Sequence, residues 1–249
     1  MAETIRRVGR PGFEGALHGF LRRAVAPDNL IVVAYRGAGA PQVLFTQSDR
    51  PTVYAHLDSI YLRGAYLLDP CRDLHLSRAP AGAYRLTDIA PDAFHRSRYF
   101  LDYYRQTTLL DEIVFLAYPA PGVALNLCIG RDATSGQLFT TREVETCQRL
   151  APIIAAMAET HWAGLAADAG PAPDVAEDLI RALAAQDLHL SPRQAEVALL
   201  ILRGHSTPSI GLRLGVSAQT VKVFRKQLYA RCGISSQAEL FALMLPLLR

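Results

Sequence analysis

Apolar positions along the first two thirds of this 249-residue chain switch between two periods. Phe13, Leu17, Phe20, Leu21 and Ala24 recur at intervals of three and four, which predicts an amphipathic helix over 13–25. The run "LIVVAYRG" (30–37), the turn-rich "GAGAP" and "QVLFTQ" (42–47) then read as a β-hairpin. Residues 51–67 return to helical spacing, with Pro51 at a helix start. A second hairpin pattern follows in "EIVFLAYPA" (112–120) and "GVALNLCIGR" (122–131). A long helix is expected from about Thr141 to Ala163, where Val144, Leu150, Ile154, Met157 and Trp162 supply apolar positions and Pro152 removes one backbone hydrogen bond.

From Leu190 the pattern changes to four short helices, each with its own start signal. Ser191-Pro192-Arg193-Gln194 combines an N-cap serine, a first-turn proline and a glutamine at the third position, and Gly204 ends that helix. Thr207-Pro208 repeats the cap-plus-proline signature and Gly215 stops the next helix. Ser217 caps a helix running to Cys232, with Gly233 at its C-terminal end. Ser236-Gln237-Ala238-Glu239 is a further capping box, opening "ELFALMLPLL". Two helices joined by a tight glycine turn, the second of them basic, make a helix-turn-helix.

Between the two patterns lies "GLAADAGPAPDVAED" (164–178), mostly small and poor in large apolar residues, as a linker is. Three segments result: a ligand-sensing or dimerisation domain over 1–165, a linker and leading helix over 166–187, and a helix-turn-helix domain over 188–249. The fold class expected is α+β, an αβα sandwich with an antiparallel sheet, followed by an all-α four-helix module. PAS, GAF and autoinducer-binding sensor domains share the first layout, although layout alone does not fix function.

Charge sharpens this division. The chain carries a net +3, but residues 188–249 hold eight Arg/Lys against two Asp/Glu, a net +6, and the first 187 residues hold 18 against 21, a net −3. A basic terminal quarter on a mildly acidic body indicates a polyanion-binding module, without separating DNA from RNA or an acidic membrane face. Within "VSAQTVKVFRKQLYARCG" (216–233) stand the only two lysines of the chain, Lys222 and Lys226, one helical turn apart. Val221, Phe224 or Arg225, Leu228 and Cys232 form the inward stripe of that helix, which leaves Gln219, Lys222, Val223, Lys226 and Tyr229 on the other side. An exposed valine between lysines suits a major groove, where an apolar group meets a thymine methyl and a cation meets guanine or phosphate. A solvated cationic face has the same pattern.

The neighbouring residues separate the two. Residues 190–240 resemble the LuxR/FixJ-type helix-turn-helix module, through Leu190, Ser191, Arg193, Glu196, Val197, Leu199, Gly204, Ile210, Leu214, Val216, Ser217, Thr220-Val221-Lys222, Leu228 and Gly233. The resemblance implies double-stranded DNA as partner. It also implies DNA contacts at Lys222, Val223 and Lys226, dimerisation through the last helix (about 236–247) and an internal brace at Glu196. Ser217, Gln219, Thr220 and Arg225 complete the expected DNA-binding set. The chain departs from the family's Asn-Lys-Glu-Ile-Ala with Thr207-Pro208-Ser209-Ile210-Gly211, so contacts made by that lysine and glutamate are not carried over. Phe224 replaces a common histidine and is expected to pack inward.

The first domain lacks the βαβ repeat and paired acids of a phosphorylated receiver. Its "YLRGAYLLDP" (61–70) resembles the segment where autoinducer receptors place an aspartate before a proline, to accept a hydrogen bond from the ligand amide. Asp69 is the matching residue, with Tyr61 or Tyr66 as a nearby hydroxyl. Asp69 as a plain turn residue before Pro70 is the alternative. Tyr54, Tyr103 and Asn126 are further ligand-site candidates; Asn126 lies either toward a cavity or on the solvent side of its strand. Trp162, next to the linker, is the single tryptophan. The pocket tryptophans of acyl-homoserine-lactone receptors are therefore missing, and the effector expected is a different small molecule. The alternative is a ligand-independent regulator whose first domain serves dimerisation or partner contact.

Other classes fit poorly. Cys71 and His75 are four apart, but no third or fourth metal ligand is identifiable among the scattered Cys71, Cys128, Cys147 and Cys232. No phosphate loop or GxSxG occurs. No enzyme activity, metal or cofactor is expected. Without a signal-peptide pattern or an apolar run of membrane-spanning length, the expectation is a cytoplasmic homodimer with no membrane partner.

Overall fold

In the computed structural model, which describes residues 1–37, 40–167, 175–185 and 187–244, a short helix α1 (Ala2–Arg6) precedes the amphipathic helix α2 (Phe13–Val25). Phe13, Leu17, Leu21 and Val25 are its buried stripe, at the spacing the sequence predicts. The first hairpin is β1 (Asn29–Arg36) with β2 (Gln42–Ser48), and its turn includes residues 38–39, outside the described set.

Residues 51–67 do not form one helix. They break into single turns at Pro51–Tyr54, Leu57–Tyr61 and Ala65–Leu68, the middle one a π turn. Gly64, at φ 143°, sits where the last two part, a backbone conformation open chiefly to glycine. There follow α3 (Pro70–Leu76), the strand β3 (Gly82–Arg85) that its shortness hides from periodicity, α4 (Leu86–Ile89) and α5 (Arg98–Asp102). The second hairpin is β4 (Leu109–Ala120) with β5 (Val123–Asp132), and α6 (Thr141–His161) is the long helix, opened by a Thr140–Glu143 capping box.

The described residues pack as two units. The first contains Met1–Ala55, Cys71–Ile89 and Thr107–Ala172. Its sheet is antiparallel with strand order β2-β1-β5-β4-β3. Because strand residues alternate faces, Leu30, Val32 and Ala34 of β1 and Leu125, Leu127 and Ile129 of β5 meet α2 and α6 in one core. Trp162 belongs to that core, edge-on to Phe13 at 5.6 Å. The opposite face receives α3: Asn126 donates from Nδ2 to the Cys71 carbonyl at 3.3 Å, and the Tyr35 and His75 rings lie 4.4 Å apart. The sheet therefore has helices on both faces, as expected. Two ion pairs lie within it, Arg85 with the buried Asp111 and the buried Arg131 with Glu143.

The second unit contains His56–Pro70, Ala90–Gln106 and Pro173–Arg249. Its helices are α7 (Val175–Ala184), α8 (Pro192–Arg203), α9 (Thr207–Leu214), α10 (Ala218–Cys232) and α11 (Gln237–Met244). Much of the predicted linker, residues 168–174, lies outside the described residues, as do 186 and 245–249, on which the end of the expected last helix falls. Segments 56–70 and 90–106, assigned by sequence pattern to the first domain, pack with these helices. No helix among the described residues is long and apolar enough to cross a membrane.

Candidate nucleic-acid interface

Local sequence sets each turn of the C-terminal module. Ser191 accepts from the Gln194 amide at 3.3 Å while Gln194 Oε1 receives the Ser191 amide at 3.0 Å, so the predicted box is complete. Gly204, Gly215 and Gly233 end α8, α9 and α10 with φ of 96°, 65° and 64°. The cap of α9 is Ser206 rather than Thr207: its Oγ accepts from the Ser209 amide at 3.3 Å, which places Thr207 and Pro208 at the first two helical positions. The close turn between α9 and α10 leaves no room at Gly211, where an added Cβ would stand 2.8 Å from the Val216 carbonyl oxygen.

On α10, Val221 and Leu228 are buried against the module and Phe224 is half-buried. Gln219, Lys222, Val223, Arg225 and Lys226 are exposed, Val223 to 45%. Neither lysine is paired with a carboxylate among the described residues. Tyr229 departs from the expected face: it is half-buried and its ring lies under the Arg225 guanidinium at 5.1 Å. Ser217 and Thr220 are engaged with each other at the helix start, through the Thr220 amide at 3.0 Å and between their hydroxyls at 2.8 Å. The fourth cation, Arg231, turns back into the module, where Nη1 donates to the His189 carbonyl at 2.7 Å. Glu196 is no internal brace; it pairs with Arg193 on the surface of its own helix at 2.7 Å, both side chains over two fifths exposed.

The effector candidates separate. Asp69, Tyr61, Tyr66 and Tyr103 lie together in the second unit. Tyr61 donates to Asp69 Oδ2 at 2.7 Å in a buried contact, and its ring lies 5.2 Å from Tyr103 and 6.4 Å from Tyr66. Tyr54 and Asn126 belong to the first unit. The Tyr54 hydroxyl is held by the Leu30 and Gln47 carbonyls at 2.9 and 3.3 Å, and burial pushes its pKa far up. Asn126 is buried at 1% exposure, which settles its two readings against the solvent side. Among the described residues no group of three or more His, Cys, Asp or Glu is placed to hold a metal ion.

Sequence reasoning missed the contribution of residues 90–106. The Ala93 amide donates to the Gly204 carbonyl and the Ser206 amide to Asp92 Oδ1, both at 3.0 Å, and the Arg98 guanidinium lies 5.4 Å from the Phe241 ring centre. Pairing at this sequence distance leaves no periodic signal.

Residues 188–244 match the family described as bacterial regulatory proteins, luxR family. A protein of Aeromonas salmonicida named as an HTH-type transcriptional regulator in the exeN 3′ region is 28% identical over 174 residues, 67% of this chain and 87% of that one. The VqsR ligand-binding domain of Pseudomonas aeruginosa has a similar fold, with a TM-score of 0.53 at 18% identity over 65% of this chain and 93% of that one. Escherichia coli SdiA aligns with a TM-score of 0.41 at 15% identity, over 95% and 90% of the two chains. With its four capped helices and basic third helix, the segment 188–244 is a helix-turn-helix domain of the luxR family of bacterial regulatory proteins.

Proposed function

We propose that this regulator reads duplex DNA through α10, with Lys222, Val223 and Lys226 in the major groove. The observation that carries this is the sorting of side chains on one helix: Val221 and Leu228 are packed inward, while two lysines and a valine stand exposed on the outward side. Lysine ammonium groups reach guanine edges or phosphates, and Val223 offers an apolar contact to thymine. Gln219 and Arg225 flank this set, and Ser217 and Thr220 hold the helix start from which they project. The protein acts in the cytoplasm by binding rather than turnover, as a homodimer on a two-fold-related site. The test is operator selection followed by affinity measurement with the Lys222→Ala/Lys226→Ala variant. A base-reading lysine is worth about 1–3 kcal/mol on the selected site, whereas a phosphate contact weakens all sequences alike and flattens the salt dependence. Unchanged affinity in the double variant overturns the assignment.

The same reading takes the first domain as a small-molecule sensor whose effector is not an ordinary acyl-homoserine lactone. Asp69 is a buried acceptor beside Tyr61, Tyr66 and Tyr103, in segments of residues 1–165 that belong to the second unit, and the only tryptophan is used in the α2–α6 core. One observation favours a ligand-independent role in dimerisation or partner contact instead: Asp69 already has Tyr61 as its donor. A metabolite panel scored by thermal shift separates them, since a ligand at one hundred times its Kd stabilises by about 2.7 kcal/mol. A panel without a stabiliser favours the second reading.

A further inference from the structure

The second unit contains a pocket of about 200 Å³ where the start of α9 meets α10, α11 and the 90–106 segment. Its floor is apolar, from Ile201, Ile210 and Val221. Arg96, Arg225, His205 and Thr207 stand around it. His205 is 7% exposed; its Nδ1 meets Ser209 Oγ at 2.9 Å, and its Nε2 is shut off from solvent with no partner among the described residues.

The charges around the pocket specify what it takes. Two arginines, whose planar guanidinium forks suit carboxylates, line one small pocket. The α9 helix start adds positive partial charge. A carboxylate of this chain already uses that field: Asp92 Oδ1 accepts the Ser206 amide, and the Ser206 hydroxyl and amide hold Asp92 below the usual carboxylate range. In size the pocket exceeds a cavity of about 150 Å³ that holds benzene, so it accommodates roughly eight to ten heavy atoms.

We infer that this pocket is a binding site for a small organic monocarboxylate, its carboxylate held by Arg96 and Arg225, its apolar body on Ile201, Ile210 and Val221, and the His205 ring at its wall. Burial, with Arg213 nearby, lowers the His205 pKa to about 4 against the opposing effect of Asp92. The ring is therefore uncharged at neutral pH and the arginines supply the charge.

Benzoate is a suitable probe, with benzyl alcohol and inorganic phosphate as its apolar and oxyanion controls. Each is titrated into the full chain while the His205 ring resonances are followed by NMR. Expected is a saturable shift with benzoate at a Kd of about 1 mM or below, and at least an about tenfold weaker one in Arg96→Gln. Arg96 is exposed, so that variant should melt as the parent does. No saturable shift up to about 20 mM benzoate overturns the site. So does equal binding by Arg96→Gln. A match by benzyl alcohol reduces it to an apolar pocket, and a match by phosphate to a general oxyanion contact; either overturns the carboxylate assignment.

Discussion

Arg231 and His189 join the two ends of the helix-turn-helix module: the guanidinium Nη1, in the last turn of α10, donates to the His189 carbonyl at 2.7 Å. The same nitrogen reaches Gln194 Oε1 at 3.4 Å, the atom that completes the capping box of α8. The cations of α10 thus divide by task. Lys222 and Lys226 face outward without carboxylate partners among the described residues, while Arg231 holds the helix to the segment before α8.

Arg231→Ala is therefore expected to lower the stability of the second unit by about 1 kcal/mol, the contact being partly exposed, while leaving base preference unchanged. The lysine variants should show the reverse, with unchanged melting and altered DNA affinity. Urea unfolding and DNA titration of Arg231→Ala and of the lysine variants make the comparison. Loss of base preference in Arg231→Ala would place it in the groove instead.

Gly204 ends α8 at φ 96°, and an added Cβ would lie 2.8 Å from the Ser97 Cβ and 3.3 Å from the Ala93 carbonyl oxygen. Gly204→Ala combines an unfavourable backbone conformation with overpacking and should destabilise by about 2–3 kcal/mol. Both neighbours lie in the 90–106 segment. Chemical denaturation measures the loss, and accelerated proteolysis within 90–106 shows where it falls. A neutral substitution would mean that this segment does not rest on α8.

Much of this architecture is legible because it is local. The caps at Ser191, Ser217 and Ser236 and the glycines at 204, 215 and 233 depend on residues within a turn of each other, and so does the division of α10 into Val221/Leu228 and Lys222/Lys226. The shift of the α9 cap from Thr207 to Ser206 is a one-residue ambiguity between two hydroxyls before one proline. What periodicity does not carry is long-range. Strand β3 has four residues and no recognisable period, and it is fixed by pairing with β4 and by the Arg85–Asp111 bridge. Residues 51–67 keep apolar content through turns of different pitch, so their spacing imitates one helix. The packing of 90–106 onto α8 and the α9 cap rests on two backbone amides, which any sequence supplies. Among the ligand candidates, only the Tyr61–Asp69 pair had a signal, the resemblance of the 61–70 segment.

Asp111 is a heavily used carboxylate of the first unit. Its side chain is 1% exposed and accepts from Arg85 Nη2 at 2.6 Å, from the Phe139 amide at 2.9 Å and from the Glu112 amide at 3.0 Å. Asp111→Ala strands these donors and should cost about 3 kcal/mol or more. Asp111→Asn keeps the shape but not the charge and should cost less. Denaturant midpoints of the two variants check the order; equal values would mean that the bridge to Arg85 contributes little.

Two histidines, one in each unit, connect stability to pH with a definite sign. Burial lowers His75 to about 3, assisted by Arg72, and His205 to about 4. In the unfolded chain both titrate near 6.5. Between these values the unfolded state binds protons that the native state refuses, so stability is fully present above about pH 6.5 and is lost as pH falls toward the folded values. For His205 the loss by pH 4 is up to about 3 kcal/mol. His205→Gln, which cannot titrate, should flatten the fall in stability of the second unit between pH 6.5 and 4. His75→Gln should do the same for the first unit, where the effect continues to about pH 3. Denaturant unfolding at half-unit pH steps, followed by hydrogen exchange to resolve the two units, reads both slopes. A His205→Gln variant with the parent's slope would show that this imidazole protonates in the folded protein as easily as in the unfolded chain.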